Sequence, residues 1–429
     1  MKGEKSCFDC NPDHPLSSDL VVRLKKALEA GDEKITMDLL CSEVKHVDAI
    51  IELSNDDWMK APTAQLHPLV LVGLWSLEYK RTLTNPLCIS ASHGHTACLR
   101  HLLFRRADPN AAPGGRSALH EACTGGHTDC AELLLEHKAN PNLLDEDGHA
   151  PLHLCTSQNT LGCAKALVRF GALVNLPSEE SQDTPIHLAA KHGLYEHVHL
   201  YLRYGATVDK KNSLEETALS VACGEAKKVE DQERYLQVCK LLLTYGAEVN
   251  TVDEEVKTPL HKASRNAHHG LVQLLLQWKA DVNAIDYNGA YPMSSILQAA
   301  AFKQEMRPYL TVQTLLNHGS QKIWPTAFVK VLKSCASVPE IIEILSNSYS
   351  HLPISEKWVE VIPKEEFQKH LPFYESFFRQ TYTVRHLQHL CRCAIRRRLG
   401  DRCHFLIPCL PVPQSLKNYL LLDPEGVLL

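Results

Sequence analysis

Apolar and polar positions in the middle of the chain repeat at a nearly constant interval. Seven short segments of the type Thr-Pro-Leu-His recur there, and their first residues are Asn85, Ser117, Ala150, Thr184, Thr217, Thr258 and Tyr291. A hydroxyl suits a helix cap, proline suits the first helical turn, and leucine can enter a core. A second apolar run and a Gly or Ala follow, so each period predicts two short helices joined by a turn.

The one irregular step, from Thr217 to Thr258, is longer than the others and holds an insertion near 224–234. Such an insertion should lengthen the turn inside that repeat without disturbing its neighbours. The whole pattern resembles the ankyrin repeat. The resemblance implies an all-α fold in which the repeats stack into a solenoid over residues 81–319.

The flanking segments are also predicted to be mainly helical. Residues 1–80 form a predicted N-terminal capping region, with a helical pattern over 17–60, a helix–helix turn at Gly31-Asp32 and irregular chain over 61–80. Apolar runs continue over 320–380 without the repeat rhythm, and we predict a helical connector there, with aromatic side chains in its core. Residues 381–429 form the last predicted domain.

The last domain carries an apolar stripe and a proline-rich segment. Positions three and four apart lie on one face of a helix. The stripe formed in this way consists of Leu387, Leu390, Cys391, Ala394, Ile395 and Leu399. The arginines at 392 and 396–398 are predicted to form a solvated face beside it. Pro411 and Pro413 hold the next segment extended, so another helix should begin near Pro413. A hairpin this small cannot bury the stripe alone, which therefore needs a partner surface.

The two elements resemble the two halves of a SOCS box. The first half, the BC box, docks on elongin C, and the resemblance implies this role for Leu387, Leu390, Cys391, Ala394 and Ile395. The second half, the cullin box, selects the cullin, and Leu-Pro-Val-Pro at 410–413 is similar to the cullin-5 version. The implied cullin-binding residues are Ile407, Leu410, Pro411, Val412, Pro413, Leu416, Tyr419 and Leu420. His386 departs from the family pattern of Ser, Thr or Pro, so the helix has a poorer cap unless Thr383 caps it one turn earlier.

Together the parts resemble the ankyrin repeat and SOCS box family. The resemblance implies a substrate-recognition subunit of a ubiquitin ligase. Elongin B and elongin C would bridge the chain to cullin-5, and a RING-box protein would recruit the charged E2. The chain would promote ubiquitination and proteasomal degradation by holding a substrate lysine near the E2 thioester. The alternative is an ankyrin scaffold that sequesters a signalling partner without ubiquitination.

Composition and charge bear on other classes of function. A formal charge of −5 gives no general attraction to nucleic acid. The N-terminus lacks the apolar core of a signal peptide, and the longest apolar run, 69–77, is too short to span a bilayer, so no membrane partner is expected. Sixteen cysteines in such a chain imply reduced thiols. The expected location is the cytoplasm, with the nucleus as a second location.

No residue pattern indicates catalysis, a metal or a cofactor. The histidines at 120, 153, 187 and 261 take the fourth position of the repeated segment, where we expect them to hydrogen-bond local backbone. Cys7 and Cys10 have half the spacing of a zinc site, but no second pair stands at the required distance. No nucleophile–base pair, paired carboxylates or phosphate-binding loop stands apart from the repeats. The chain is therefore predicted to be a non-catalytic subunit.

The loops before the repeated segments are rich in acidic residues. These residues are Asp145, Glu146, Asp147, Glu179, Glu180, Asp183, Glu215, Glu216, Asp253, Glu254 and Glu255. Successive loops of a solenoid stack along one edge, so the charges should add into a negative stripe that attracts a basic segment of a substrate. The predicted substrate contacts are Asp145, Asp147, Glu180, Asp183, Glu216 and Glu254. The alternative is that these acids only aid solubility.

Overall fold

The computed structural model describes residues 12–54, 81–380 and 385–426. The Cys7 and Cys10 pair, the stretch 61–80 and Thr383 lie outside these residues. The chain forms two compact units, one of residues 1–188 and 203–206 and the other of residues 189–202 and 207–429. Among the described residues, no helix combines the length and the apolar character needed to cross a membrane.

The first unit begins with a helix pair and a two-stranded antiparallel sheet. Its elements are α1 (Asp19–Ala30), α2 (Glu33–Asp38), a π-helical turn (Leu39–Glu43), β1 (Ile51–Ser54) and β2 (Arg81–Thr84). Gly31 ends α1 with a φ of 66°, and Asp32 caps α2 by accepting a hydrogen bond from the Ile35 amide at 3.0 Å. β1 falls inside the region predicted as helical, which corrects that prediction. Ile51 pairs with Thr84, and local periodicity cannot show a partner so far along the chain.

In the first unit, each repeated segment starts a helix at its second residue. The helices are α3 (Pro86–Ser92), α4 (Thr96–Phe104), α5 (Ala118–Gly125), α6 (Thr128–Glu136) and α7 (Leu161–Arg169), with 3-10 turns at Pro151–Leu154 and Gln158–Thr160. The segment at Ala150 thus forms a 3-10 turn where an α-helix was predicted. Thr160 donates its hydroxyl to the Ser157 carbonyl at 2.6 Å, and such local bonds compete with a helix.

The second unit continues with helix pairs. Two helices, α8 (Pro185–Lys191) and α9 (Tyr195–Arg203), contain the boundary between the units. The others are α10 (Ala218–Glu225), α11 (Gln232–Thr244), α12 (Pro259–Arg265), α13 (His269–Gln277), α14 (Pro292–Ala299), α15 (Pro308–Asn317), α16 (Phe328–Ser334) and α17 (Pro339–Asn347). The insertion is divided between a longer turn and α11, which is longer than α13 by about one helical turn.

The pair α16 and α17 lies beyond Gly319, where the repeat rhythm of the sequence ends. α16 packs on α14, and α17 packs on α15. The chain predicted as a helical connector therefore begins with one more helix pair of the stack. Its aromatic core includes Phe328, whose ring lies 6.2 Å from that of Phe377, whereas Trp324 is exposed.

Five further helices end the described chain. They are α18 (Lys364–Lys369), α19 (Leu371–Arg379), α20 (Leu387–Leu399), α21 (Cys403–Leu406) and α22 (Gln414–Leu420). α22 begins directly after Pro413, as the two prolines of the extended segment predicted. No side-chain hydrogen bond from His386 caps α20, in agreement with the weak cap predicted there.

The histidines of the repeated segments stabilise the fold. His120 Nδ1 accepts from the Ser117 amide at 3.2 Å, and its Nε2 donates to the His149 carbonyl at 3.1 Å. His261 makes the same two kinds of bond, to the Thr258 amide and the Ala290 carbonyl. A carbonyl can only accept, so the proton lies on Nε2 and the ring is neutral. The predicted bond to local backbone is confirmed, and a second bond to the next repeat accompanies it.

The neutral rings predict that acid destabilises the fold. Burial lowers the pKa of His120, His153 and His261 below the ordinary value of 6.5. The unfolded chain then binds more protons than the folded chain as pH falls below about 6.5, so stability present above that pH is lost. We expect the urea concentration at the midpoint of unfolding to be lower at pH 5.5 than at pH 7.5. His153→Asn should reduce both the midpoint and its pH dependence, and His46→Asn, at an exposed ring, should change neither. A pH-independent midpoint would contradict this assignment.

Candidate functional site

Helix α20 is apolar on its exposed side and polar on its buried side. The predicted docking residues are all exposed, and Leu387 retains 76% of its accessible surface. They are Leu387, Leu390, Cys391, Ala394 and Ile395, called the exposed stripe from here on. His389, Arg392 and Cys393 are buried instead. Successive helical residues are about 100° apart, so the two sets face in opposite directions. This is the reverse of an ordinary amphipathic helix on a protein surface.

The arginines of α20 do not form one solvated face. Arg397 and Arg398 are exposed as predicted, but Arg392 is only 4% exposed. The guanidinium of Arg392 lies over the Tyr419 ring, 4.1 Å from its centroid. Arg396 is half-buried and donates to the Asn317 side-chain oxygen at 2.6 Å, to the Leu420 carbonyl at 2.8 Å and to the Leu316 carbonyl at 3.3 Å. One arginine thus joins α20, α15 and the end of α22.

His389 continues this polar contact toward α17. Its Nε2 donates to the Tyr349 carbonyl at 2.7 Å, and Arg392 donates to its Nδ1 at 2.9 Å. The ring must be neutral to accept from a guanidinium. Burial, together with the charges of Arg385 and Arg392, lowers the pKa of His389 to about 4. The imidazole therefore stays uncharged throughout the physiological range.

The end of the described chain is held by the same helices. The carboxylate of Glu343 on α17 is 1% exposed and accepts from the backbone amides of Glu425 at 2.7 Å and Gly426 at 3.0 Å. Burial raises the pKa of Glu343. On α15, Gln313 and Asn317 donate to the Leu421 carbonyl at 3.1 and 3.0 Å. These contacts fix the segment around α20–α22 to the last two helix pairs.

The proline segment lies on a small separate core, which corrects part of the predicted cullin site. Ile407 is 0% exposed and packs with Cys403 and Leu420. Ile407 and Leu420 are therefore core residues rather than the surface contacts predicted, and Tyr419 is half-buried beneath Arg392. The remaining predicted residues are on the surface: Pro411, Pro413 and Leu416 are exposed, and Leu410 and Val412 are half-exposed.

The acidic loops of the first unit have one buried member. Asp145 accepts from the backbone amides of Asp147 at 3.1 Å and His149 at 2.8 Å, and Arg116 lies 3.3 Å from its other oxygen. Asp145 is thus a structural residue of the turn, and its buried carboxylate offers a substrate no exposed surface, in contrast to the contact predicted for it. Asp145, Asp147 and His149 also bring possible metal-ligand atoms within 4.8 Å of one another, but the Asp145 oxygens are already engaged. Asp147 and Glu180 are exposed, and Asp183 is half-buried.

In the second unit, lysines reduce the acidic charge of the loops. Lys262 on α12 pairs with Glu216 and, at 2.8 Å, with Asp253. Lys211 and Lys257 pair with Glu215 and Glu255. The sequence does not indicate these Lys262 ion pairs, because Lys262 lies on a helix and outside the acidic loops. Of the predicted contacts in this unit, Glu254 is exposed and Glu216 is half-buried.

Comparison with known proteins identifies both parts of the chain. The family description "Ankyrin repeats (3 copies)" matches residues 87–178, 137–212, 186–286 and 229–326, and "SOCS box" matches 383–421. The chain is 53% identical to human ankyrin repeat and SOCS box protein 18, over 98% of the chain and 99% of that protein. The chain belongs to the ankyrin repeat and SOCS box family. Human protein 16 of this family is 42% identical over 82% of the chain and 77% of its own length, and human protein 10 is 46% identical over 83% and 77%.

Solved structures include similar ankyrin repeats. The ankyrin repeat domain of human ASB11 is 28% identical, with a TM-score of 0.46, and covers 52% of this chain and 97% of its own. The SOCS box match begins at 383, and its described part contains the exposed stripe, the proline segment and α22. The family assignment therefore places the helix with reversed polarity inside the SOCS box.

Removal of Arg396 should loosen the SOCS box from the helix pairs. Arg396→Ala removes the hydrogen bonds to Asn317, Leu420 and Leu316, of which, within the described chain, only the Leu316 carbonyl has a further donor, the Gly319 amide. We expect a loss of about 2–4 kcal/mol in the free energy of unfolding. Arg398→Ala, at the exposed neighbour two residues on, should cost less than about 1 kcal/mol. Chemical unfolding of the full chain measures both. Equal effects of the two substitutions would show that Arg396 does not hold this junction.

Proposed function

We propose that the chain is a substrate-recognition subunit of a ubiquitin ligase that contains elongin B, elongin C, cullin-5 and a RING-box protein. The observation that carries the proposal is the exposed stripe on α20. A helix that presents its apolar side to solvent suits the helix-in-groove mode of recognition, in which residues at helical spacing enter an apolar groove. The stripe coincides with the BC-box positions of the SOCS box. We therefore propose that elongin C supplies the groove.

The polar contacts behind the stripe support the same role. Arg396, His389 and Arg392 fix the buried side of α20. The stripe is therefore already helical before a partner arrives, and less conformational entropy needs to be lost on binding. The chain itself performs no chemistry in this proposal, and its contribution is to hold a substrate near the E2 thioester.

Truncation of the stripe should abolish elongin C docking without unfolding the chain. Burial of a Leu or Ile side chain contributes about 1.5–3 kcal/mol, and about 1.4 kcal/mol is a tenfold change in affinity. Leu387→Ala with Ile395→Ala should therefore weaken binding of the elongin B/C complex at least a hundredfold in calorimetry. Gln388→Ala, an exposed polar neighbour, is the matched control. If the double variant bound as tightly as the wild type, the stripe would not be the elongin C site.

We propose that the exposed proline segment selects cullin-5. Pro411, Pro413 and Leu416 are exposed, with Leu410 and Val412 half-exposed beside them, whereas Ile407 and Leu420 form the support beneath. This surface is separate in sequence from the stripe, so the two contacts should be separable by mutation.

Pro411→Ala with Leu416→Ala should retain elongin B/C and lose cullin-5, because both side chains are exposed and neither supports the core. Co-purification from cells, with antibodies against each subunit, measures both interactions in one sample. Ser415→Ala provides the control in the same exposed turn. Normal recovery of cullin-5 with the double variant, or a preference of the wild type for cullin-2, would refute the assignment.

The repeats are the proposed substrate-binding part. In the first unit Asp147 and Glu180 are exposed, and in the second unit Glu254 is exposed. We propose that within each unit the exposed acids attract a basic segment of the substrate, and that the half-buried Asp183 and Glu216 add to the negative charge of their own units. Asp145 is excluded from this role because its carboxylate is buried in the turn.

Charge reversal of the exposed acids should weaken substrate capture and leave elongin B/C binding intact. The test is proximity labelling in cells with the proteasome blocked, comparing wild type with a variant in which Asp147, Glu180 and Glu254 are replaced by Lys. A second variant carries Lys at Glu136, Glu196 and Glu233, which are exposed on helices. If both variants lost the same partners, or if neither variant lost any, the acidic loops would have no specific role in substrate binding.

The second candidate is a scaffold that sequesters a signalling partner. The two functions share the repeats and differ in the SOCS box, so ubiquitination of captured proteins separates them. We propose the cytoplasm, with the nucleus as a second location, as the place of action. A scaffold would retain its effect on the partner after truncation of the exposed stripe, whereas a ligase subunit would lose it.

A further inference from the structure

A cavity lies at the junction of the last helix pairs with the SOCS box, within the second unit. Its volume is about 300 Å³, and its walls come from the end of α15 and the following turn, the turn after α17, and the part of the chain between 393 and 403. We call this cavity the junction pocket. Cavities that bind small molecules begin at about this size.

The junction pocket is lined by three cations and by no carboxylate. Lys322, Arg396 and Arg397 contribute to its walls, and none of the residues that line it is an Asp or Glu. The ion pairs found in the described part of the chain include none of the three. Arg396 donates only to neutral oxygens, those of Asn317, Leu420 and Leu316. The Arg396 guanidinium is therefore hydrogen-bonded, but these partners carry no negative charge to neutralise it.

Lys322 is held at the same wall. Its ammonium donates to the Ser348 carbonyl and lies 5.5 Å from the centroid of the Tyr349 ring. Partial burial and the nearby charges of Arg396 and Arg397 lower the pKa of Lys322. The three positive residues line the same small cavity, so their charges repel one another. A negative ligand between them would relieve this repulsion and gain charge-assisted hydrogen bonds.

We propose that the junction pocket binds the phosphate group of a small phosphorylated molecule. A phosphate monoester carries nearly two negative charges near neutral pH and three acceptor oxygens, so it can engage three cations, whereas a carboxylate offers one charge and two oxygens. Guanidinium groups match phosphate oxygens in pairs, and an ammonium adds a point charge. Ser320 and Ser350 also line the pocket and add polar surface to its walls.

The position of the pocket gives the ligand a structural consequence. A phosphate bound there would contact α20, the turn after α15 and the chain near Tyr349 together. It would stabilise the seating of the SOCS box on the helix pairs, because a ligand that binds only the folded state adds to its stability. The inference concerns the chain alone and does not depend on the proposed ligase function.

The test is isothermal titration of the full chain with inorganic phosphate and with glycerol 3-phosphate at constant ionic strength set by chloride. We expect saturable binding of one phosphate per chain. Arg397→Gln and Lys322→Gln should each weaken it about tenfold, since each removes one charged contact. Both substitutions spare the Arg396 bonds that hold α20, so folding should persist, which circular dichroism checks.

Arg398→Gln is the matched control, because Arg398 is exposed on the same helix and does not line the pocket. It should alter phosphate affinity less than twofold. Three results would overturn the proposal: no saturable binding of either probe, equal losses with Arg397→Gln and Arg398→Gln, or binding that chloride reproduces at the same ionic strength.

Discussion

The seating of α20 depends on the buried hydrogen bonds of Arg396. A guanidinium that left water without partners would cost several kcal/mol, but here three oxygens from two distant parts of the chain accept hydrogen bonds from it. Because these acceptors lie on α15 and at the end of α22, they determine which side of α20 faces the repeats. The apolar side must then face away. The outward position of Leu387 and Ile395 follows from a polar constraint rather than from a hydrophobic one.

That constraint explains why the same helix can be both fixed and available. A helix held by an apolar face would hide the side chains that a partner needs. Here His389, Arg392 and Arg396 fix one side while the exposed stripe stays open to solvent. Glu343 adds a second point of attachment by binding the backbone of Glu425 and Gly426. Within the second unit, α20 is thus attached directly to the last helix pairs of the stack.

The sequence predicted the features that depend on neighbours along the chain. The repeated segments start helices, and their histidines bond the backbone three residues earlier, because cap, proline and imidazole act within a single turn. The exposed stripe was recognised for the same reason, since its spacing is local. The expectation that a partner covers it rests on the small size of the hairpin.

Features that depend on distant partners were missed. The local pattern predicts a solvated face for Arg396, because its acceptors lie on other helices, α15 and α22. Ile407 and Leu420 belong to a core that periodicity does not reveal, and Asp145 is engaged by Arg116 and by its own turn. The local pattern indicates a helix at β1, because the partner strand begins only at Arg81, well beyond the reach of such a pattern. In each case a tertiary partner, which the local pattern does not contain, decided the outcome.

Two native cysteines provide the most direct test of the reversed helix. Cys391 is exposed on the stripe and Cys393, two residues later, is buried on the polar side, and trypsin separates them at Arg392. Maleimide labelling of the free full chain, followed by mass spectrometry, reports both thiols in one experiment. The account predicts rapid labelling of Cys391 and slow labelling of Cys393, whose burial also raises the pKa of its thiol. Equal rates, or faster labelling of Cys393, would contradict it.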